Sequence, residues 1–108
     1  MNQNTEDLYM VYVTTANESE AEQIATVVVS ENLAVCGNII PAITSIYKWE
    51  GKLNREKESL LILKAKDTQI QSLFERIKAL HSYDVPCIIS YRSASVDPSY
   101  LDWVRNSL

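Results

Sequence analysis

The side chains best suited to metal or nucleophilic chemistry in this sequence are a single histidine, His81, and two cysteines, Cys36 and Cys87. Imidazole and thiolate are ligands that copper and zinc accept in proteins. One imidazole alone makes a poor metal site, however, and neither cysteine belongs to a C-x-x-C pair. A histidine near a helix C-terminus is more often explained by the helix dipole, and distant cysteines of a non-secreted chain usually stay reduced. The pattern indicates no catalytic residue.

Composition and charge argue against three further classes of function. No Ser-His-acid triad can be assembled around His81, and a chain with only two glycines has no glycine-rich phosphate loop. The net charge is −4, with ten basic and fourteen acidic residues, whereas nucleic-acid-binding proteins carry a basic patch. We therefore expect no nucleic-acid partner.

Length and hydrophobicity predict a single domain. A chain of 108 residues with 46% hydrophobic content can bury roughly two-thirds of its unfolded surface, so its core needs neither a metal nor a disulfide to fold. No apolar run approaches the roughly 20 residues of a membrane span. Residues 1–7 are polar and lack the features of a secretory signal. We predict a disordered tail over 1–7, one domain over 8–108 and a cytoplasmic location.

Hydrophobic periodicity alternates between strand and helix patterns along this domain. Asn17, Asp67 and Asp97 are predicted to cap three helices, the last of which has a proline in its first turn. Pro41 predicts a bulge, a bend or an edge position in the second strand, because proline lacks a backbone donor. The predicted elements are strand 8–15, helix 17–32, strand 34–48, strand 53–66, helix 67–80, strand 87–91 and helix 97–108.

This element order predicts an α+β fold of the ferredoxin-like type. A βαββαβ sandwich has two right-handed crossovers, an antiparallel sheet and both helices on one face, and here a C-terminal helix is added. The fold hosts acylphosphatases, RNA-binding modules, metal carriers and regulatory proteins, so it does not identify a function.

The segment around Tyr47, Trp49 and Gly51 predicts an aromatic-rich β-hairpin tip. Alternation places the two rings on one face of a strand, and Gly51 allows the positive φ of a tight reversal. Both flanking strands far exceed the mean length of about six residues, so the hairpin should extend beyond its own domain. Because an overhanging edge invites pairing, we predict self-assembly, with the aromatic rings at a subunit interface rather than stacked on a ligand.

Residues 33–41 and 44–52 together resemble the signature of the CutA family of divalent-cation tolerance proteins. The similarity continues through 58–64, 81–86 and 100–103. The resemblance implies a stable homotrimer assembled like the PII signalling proteins, with the hairpins bracing adjacent subunits. It also implies a non-enzymatic role linked to copper and other divalent cations, and leaves open a small ligand between subunits or a protein partner.

The sequence departs from the family pattern at the proposed copper site. Some members have a cysteine at the end of the first strand and a second histidine before the shared one, where this chain has Val13 and Leu80. Cys87 replaces the usual carboxylate after the proline. Only His81 remains, so the resemblance implies weak copper binding that centres on His81, with Asp84 as a nearby carboxylate.

Two alternatives to a tolerance protein remain open, a PII-like signalling scaffold and an acylphosphatase-type enzyme. Such an enzyme needs an arginine-bearing phosphate loop after its first strand and an asparagine that places water. The segment 14–17 supplies Asn17 but no arginine or glycine. The residues therefore favour the non-enzymatic interpretation.

Overall fold

The computed structural model describes residues 8–107, which form one four-stranded sheet and three α-helices. The strand order is β2-β3-β1-β4, and every neighbouring pair is antiparallel. Residues 1–7, for which we predicted a disordered tail, lie outside the described residues, as does Leu108. The elements are β1 Leu8–Thr15, α1 Glu18–Ser30, β2 Cys36–Trp49, β3 Lys52–Lys66, α2 Ile70–Leu80, β4 Ile88–Arg92 and α3 Pro98–Asn106.

Helices α1 and α2 cover one face of the sheet. Alternate residues of β1 and β3 point to this face and are fully buried, among them Val11, Val13, Leu61 and Leu63. They form one apolar cluster with Ile24 and Val28 of α1 and with Leu73 and Ile77 of α2. The predicted placement of both helices on the same face is therefore confirmed.

Helix α1 approaches the sheet closely because β2 carries a glycine beneath it. A Cβ atom at Gly37 would lie 3.0 Å from Leu63 Cδ2 and 3.3 Å from Ala25 Cβ. The predicted cap is present, since Asn17 Oδ1 accepts a hydrogen bond from Glu20 N–H at 2.9 Å. The helix ends at Ser30, two residues before the predicted end.

The predicted cap of α2 is wrong. Asp67 begins a short 3-10 turn over 67–69, and α2 starts only at Ile70 without a side-chain cap. Gln69 stabilises this start instead: its Oε1 accepts from Lys66 N–H at 2.7 Å, and its Nε2 donates to the Asn32 carbonyl at 2.5 Å. The turn is thus anchored to the end of α1.

Strands β2 and β3 form a ribbon of 14 and 15 residues. The predicted irregularity at Pro41 is confirmed by a register shift between Ile40 and Ile43. At the tip, Trp49 pairs with Lys52 across a two-residue turn, in which Glu50 has a φ of 51° and Gly51 a φ of 78°. These are the conformations that a tight hairpin requires.

Helix α3 packs apart from the main core. Asp97 Oδ2 accepts from Tyr100 N–H at 3.2 Å, which confirms the predicted cap. Leu101 and Val104 are buried in a second cluster with Leu8 and Val35. Among the described residues, no helix is long and apolar enough to cross a membrane.

The sheet face opposite α1 and α2 carries apolar side chains that the described chain leaves partly or largely exposed. Cross-strand pairs set them on one surface, since Tyr12 pairs with both Ile62 and Ile89 and Met10 pairs with Tyr91. Tyr12 and Ile62 are half-buried, and the other members are exposed. We call this surface the open face; it comprises Met10, Tyr12, Ile40, Ile62, Ile89 and Tyr91.

Candidate functional site

His81 lies directly after α2 and is buried, with 9% of its surface exposed. Its Nε2 donates to the Thr14 carbonyl at 2.8 Å, and its Nδ1 accepts from Tyr83 N–H at 3.1 Å. A carbonyl can only accept and a backbone N–H can only donate, so the ring is the neutral tautomer protonated at Nε2. Both imidazole nitrogens are therefore engaged within the chain.

Glu20 fixes the loop that follows His81. Its Oε1 accepts from Ala16 N–H at 2.9 Å and its Oε2 from Ser82 N–H at 2.7 Å, and Oε2 lies 3.8 Å from His81 Nδ1. Burial raises the pKa of Glu20, but the hydrogen bonds from Ala16 and Ser82 outweigh it, so the pKa lies below its ordinary value. The carboxylate thus joins the start of α1 to the loop after α2.

The described residues do not bring a metal-binding group together around His81. Within 8–107, no three histidine, cysteine, aspartate or glutamate side chains are placed to hold one ion. A metal at His81 would have to displace one of its two hydrogen bonds. Copper binding at this residue stays a prediction, and the contacts of the ring argue that it is weak.

The two cysteines are unpaired and half-buried, as free thiols. Cys36 Sγ lies 3.6 Å from the Tyr100 hydroxyl, whereas Cys87 precedes β4 and faces a cleft beside the hairpin. Asn17, the residue that an acylphosphatase-type enzyme would need for its water, uses its side-chain amide oxygen Oδ1 as the cap of α1. The enzyme alternative therefore gains no support from this loop.

A cleft of about 650 Å³ opens between the hairpin and the segment that follows His81. Tyr47 and Trp49 lie in it together, on the one face predicted for them, and Gly51 forms the turn beyond. The lining residues are Thr14, Tyr47, Trp49, Asn54, Glu56, Glu58, Tyr83, Asp84, Val85 and Cys87.

Two tyrosine–glutamate pairs organise this cleft. The Tyr47 hydroxyl donates to Glu56 Oε1 across the hairpin, and the Tyr83 hydroxyl donates to Glu58 Oε2 at 2.7 Å. Burial and the bond to Glu58 raise the pKa of Tyr83 far above its ordinary value, and the bond to Glu56 raises that of Tyr47. Both phenols therefore stay protonated and act as donors at neutral pH.

The glutamates and Tyr83 were missed by sequence reasoning. A two-residue turn at 50–51 sets the register that pairs Ser45 with Glu56 and Ile43 with Glu58, and alternation then puts both carboxylates on the face of Tyr47. The placement of the two glutamates could therefore have been predicted from the sequence. The position of Tyr83 could not, because it depends on where the loop after α2 returns to the sheet.

The family model described as CutA1 divalent ion tolerance protein matches residues 9–107. Protein CutA 1, chloroplastic, of Oryza sativa is 42% identical over 98 residues, which are 91% of this chain and 55% of that protein. The divalent-cation tolerance protein CutA of Thermus thermophilus is also 42% identical over 98 residues, 91% of this chain and 95% of that protein.

The crystal structure of CutA1 from Oryza sativa superposes with a TM-score of 0.91 at 40% identity, covering 97% of this chain and 96% of the other. This chain spans only about half the length of the plant relatives that it matches, 55% and 54%. The match of the family model over 9–107 and the identities of about 40% nevertheless confirm the resemblance. The chain belongs to the CutA1 divalent ion tolerance family.

Proposed function

We propose that this chain acts in divalent-cation tolerance as a non-enzymatic homotrimer of ferredoxin-like subunits, arranged like the PII proteins. The observation that carries the proposal is the family match over residues 9–107. The strand order and the two helices on one face support the subunit fold. Related proteins named for divalent-cation tolerance support the role.

The open face supports the trimer. Four of its side chains, Met10, Ile40, Ile89 and Tyr91, are each more than 40% exposed. Met10 pairs with Tyr91, and Tyr12 pairs with both Ile62 and Ile89, across adjacent strands of this face. Large contiguous apolar surfaces on a soluble chain are typical of association sites. A closed ring of three subunits would cover this surface without leaving strand edges free.

Copper binding by this protein is proposed to be weak and to involve His81. The reason is geometric, since a copper ion must compete with Thr14 or Tyr83 for a ring nitrogen. Titration calorimetry with copper(II) on the wild type and on His81→Ala tests this, with a thermal melt of each to establish folding. We expect binding weaker than micromolar that His81→Ala abolishes.

Submicromolar binding that survives His81→Ala would contradict the assignment. Cys36→Ser and Cys87→Ser then show whether a thiol is the ligand. For the enzyme alternative, turnover of a synthetic acyl phosphate that Asn17→Ala abolishes would overturn the non-enzymatic proposal.

A cytoplasmic location also remains a proposal. The name of the rice relative places that protein in the chloroplast, so location differs among related proteins. Fractionation of the source cells with an antibody against the chain tests it.

A further inference from the structure

The β2–β3 ribbon contains a bulge at the point where it leaves the domain. The pairing register shifts between Ile40 and Ile43, so that two residues of β2, Pro41 and Ala42, lie opposite one residue of β3, Ser59. Such a two-to-one arrangement bends the bulged strand and increases its twist. The bulge therefore sets the direction in which the outer end of the ribbon leaves the sheet.

The bulge coincides with the place where the ribbon loses its third strand. β1 ends at Thr15, whose partner on β3 is Ser59. Beyond this pair, residues 52–58 of β3 pair with β2 alone in the described structure. Burial changes at the same position, because 59–61 are buried whereas 52–58 are half-buried or exposed. The bulge is thus the junction between a packed sheet and a projecting two-stranded ribbon.

Two buried hydroxyl side chains lie at this junction. Ser59 is 1% exposed, and its Oγ donates to the Pro41 carbonyl at 2.6 Å. Thr15 is fully buried, and its Oγ1 lies 3.0 Å from the Asn17 carbonyl and 3.4 Å from the Ser59 carbonyl. A bulge disrupts the regular backbone ladder. The Ser59 hydroxyl therefore connects β3 to the bulge by a hydrogen bond that the ladder does not supply.

We propose that Ser59 is a positioning residue that fixes the bend of the β2–β3 ribbon through its bond to the Pro41 carbonyl. The two-stranded outer end is only marginally stable by itself, so its angle to the sheet depends on the junction. In the proposed trimer, this angle would set where the hairpin meets a neighbouring subunit. The role of Ser59 goes beyond the proposed function and does not depend on the number of subunits.

Amide hydrogen exchange of the full chain, read by mass spectrometry, tests the proposal on the wild type and on Ser59→Ala. Alanine has nearly the same volume but lacks the hydroxyl donor. We expect the amides of 43–57 to exchange about fivefold faster in the variant, as for the loss of one hydrogen bond, and those of 60–66 to stay unchanged. Ser45→Ala makes the same chemical change on β2, away from the bulge, and should match the wild type.

Unchanged exchange over 43–57 in Ser59→Ala would overturn the proposal. Equal acceleration over 43–57 and 60–66 would also overturn it, because the hydroxyl would then contribute only to the stability of the whole domain.

Ser59→Thr restores the hydroxyl and should return exchange over 43–57 to the wild-type rate. A groove of about 200 Å³ borders Pro41, Ala42 and Ser59, so the added methyl group has space. Exchange as fast in Ser59→Thr as in Ser59→Ala would show that the hydroxyl does not fix the bend.

Sedimentation of the same samples separates this inference from the proposed function. A wild-type trimer in which Ser59→Ala leaves exchange unchanged would overturn the positioning role and leave the trimer standing. A wild-type monomer in which Ser59→Ala accelerates exchange over 43–57 alone would support the positioning role and contradict the trimer.

Discussion

The two ends of the β2–β3 ribbon share one hydrogen-bonded ladder but differ completely in how their side chains are covered. At the inner end, Leu61 and Leu63 are fully buried under α1 and α2. At the outer end, Ile46, Trp49 and Leu53 are 63%, 65% and 72% exposed. Backbone pairing therefore continues where the chain supplies no core.

This difference shows which end of the ribbon the proposed trimer would have to stabilise. Full burial of a large apolar side chain contributes about 1.5 to 3 kcal/mol, which the inner end gains within one subunit. An isolated two-stranded hairpin is only marginally stable in water. In the proposed trimer, neighbouring subunits would cover the outer end.

The largest change at the outer end is expected for Trp49→Ala. Truncation of a tryptophan that is buried at an interface costs about 3 to 5 kcal/mol, and here the loss should appear as weaker assembly. Sedimentation and the concentration dependence of the melting temperature measure it. Trp49→Phe, which keeps an aromatic ring, is the control and should retain the trimer. An unchanged oligomer and unchanged melting in Trp49→Ala would show that the tip is merely solvated.

Two neighbours on β3 allow a matched comparison of the two sheet faces. Leu61 is fully buried under the helices, and Ile62 lies half-buried on the open face. We expect Leu61→Ala to lower the free energy of unfolding by about 2 to 5 kcal/mol, because it leaves a cavity in the core of each subunit. Ile62→Ala should instead mainly promote subunit dissociation on dilution. If the Ile62→Ala variant resists dissociation on dilution as well as the wild type does, the open face is not the interface.

A smaller effect on the free energy of unfolding is expected at the start of α1, one of the two helices that cover the sheet. Asn17→Ala removes the acceptor for Glu20 N–H and should cost about 1 kcal/mol in urea denaturation. Asn17→Ser keeps a capping oxygen and should stay close to the wild type. An equal loss of unfolding free energy in both variants would mean that Asn17 stabilises the helix through another contact.

The smallest expected effect is a pH dependence carried by Glu20. Its pKa in the folded chain lies below the ordinary value of 4.5, so the unfolded chain binds the proton first as the pH falls. The contribution of Glu20 is full above pH 4.5 and is lost as the pH falls through its folded-state pKa. Urea denaturation of the wild type and Glu20→Gln between about pH 3 and 6 should show a flatter profile in the variant. Identical profiles would contradict this role.

Much of the fold could be predicted, because the sequence signals for these elements are local. β1 has the predicted bounds, and the caps at Asn17 and Asp97 and the irregularity at Pro41 follow from single residue types. The cap at Asp67 failed, since Gln69 instead accepts from the Lys66 N–H and donates to the Asn32 carbonyl, 37 positions earlier in the chain. Local propensity carries no information about such a distant contact.

The candidate site was harder to predict for the same physical reason. His81 stood out as the only histidine, but its partner Thr14 lies 67 positions away and is brought close only by the fold. The hairpin register contained the signal for Glu56 and Glu58, since it follows from the turn at Gly51. Tyr83 and Asp84 enter the cleft through a loop whose path the sequence pattern does not specify.

Sedimentation equilibrium of the full chain at micromolar concentration tests most directly whether neighbouring subunits cover the outer end of the β2–β3 ribbon and the open face. We expect one species with three times the 12.3 kDa chain mass, stable on dilution in the wild type and dissociating in Trp49→Ala. A wild type that sediments as a 12.3 kDa monomer throughout would contradict the assignment of these surfaces to a trimer.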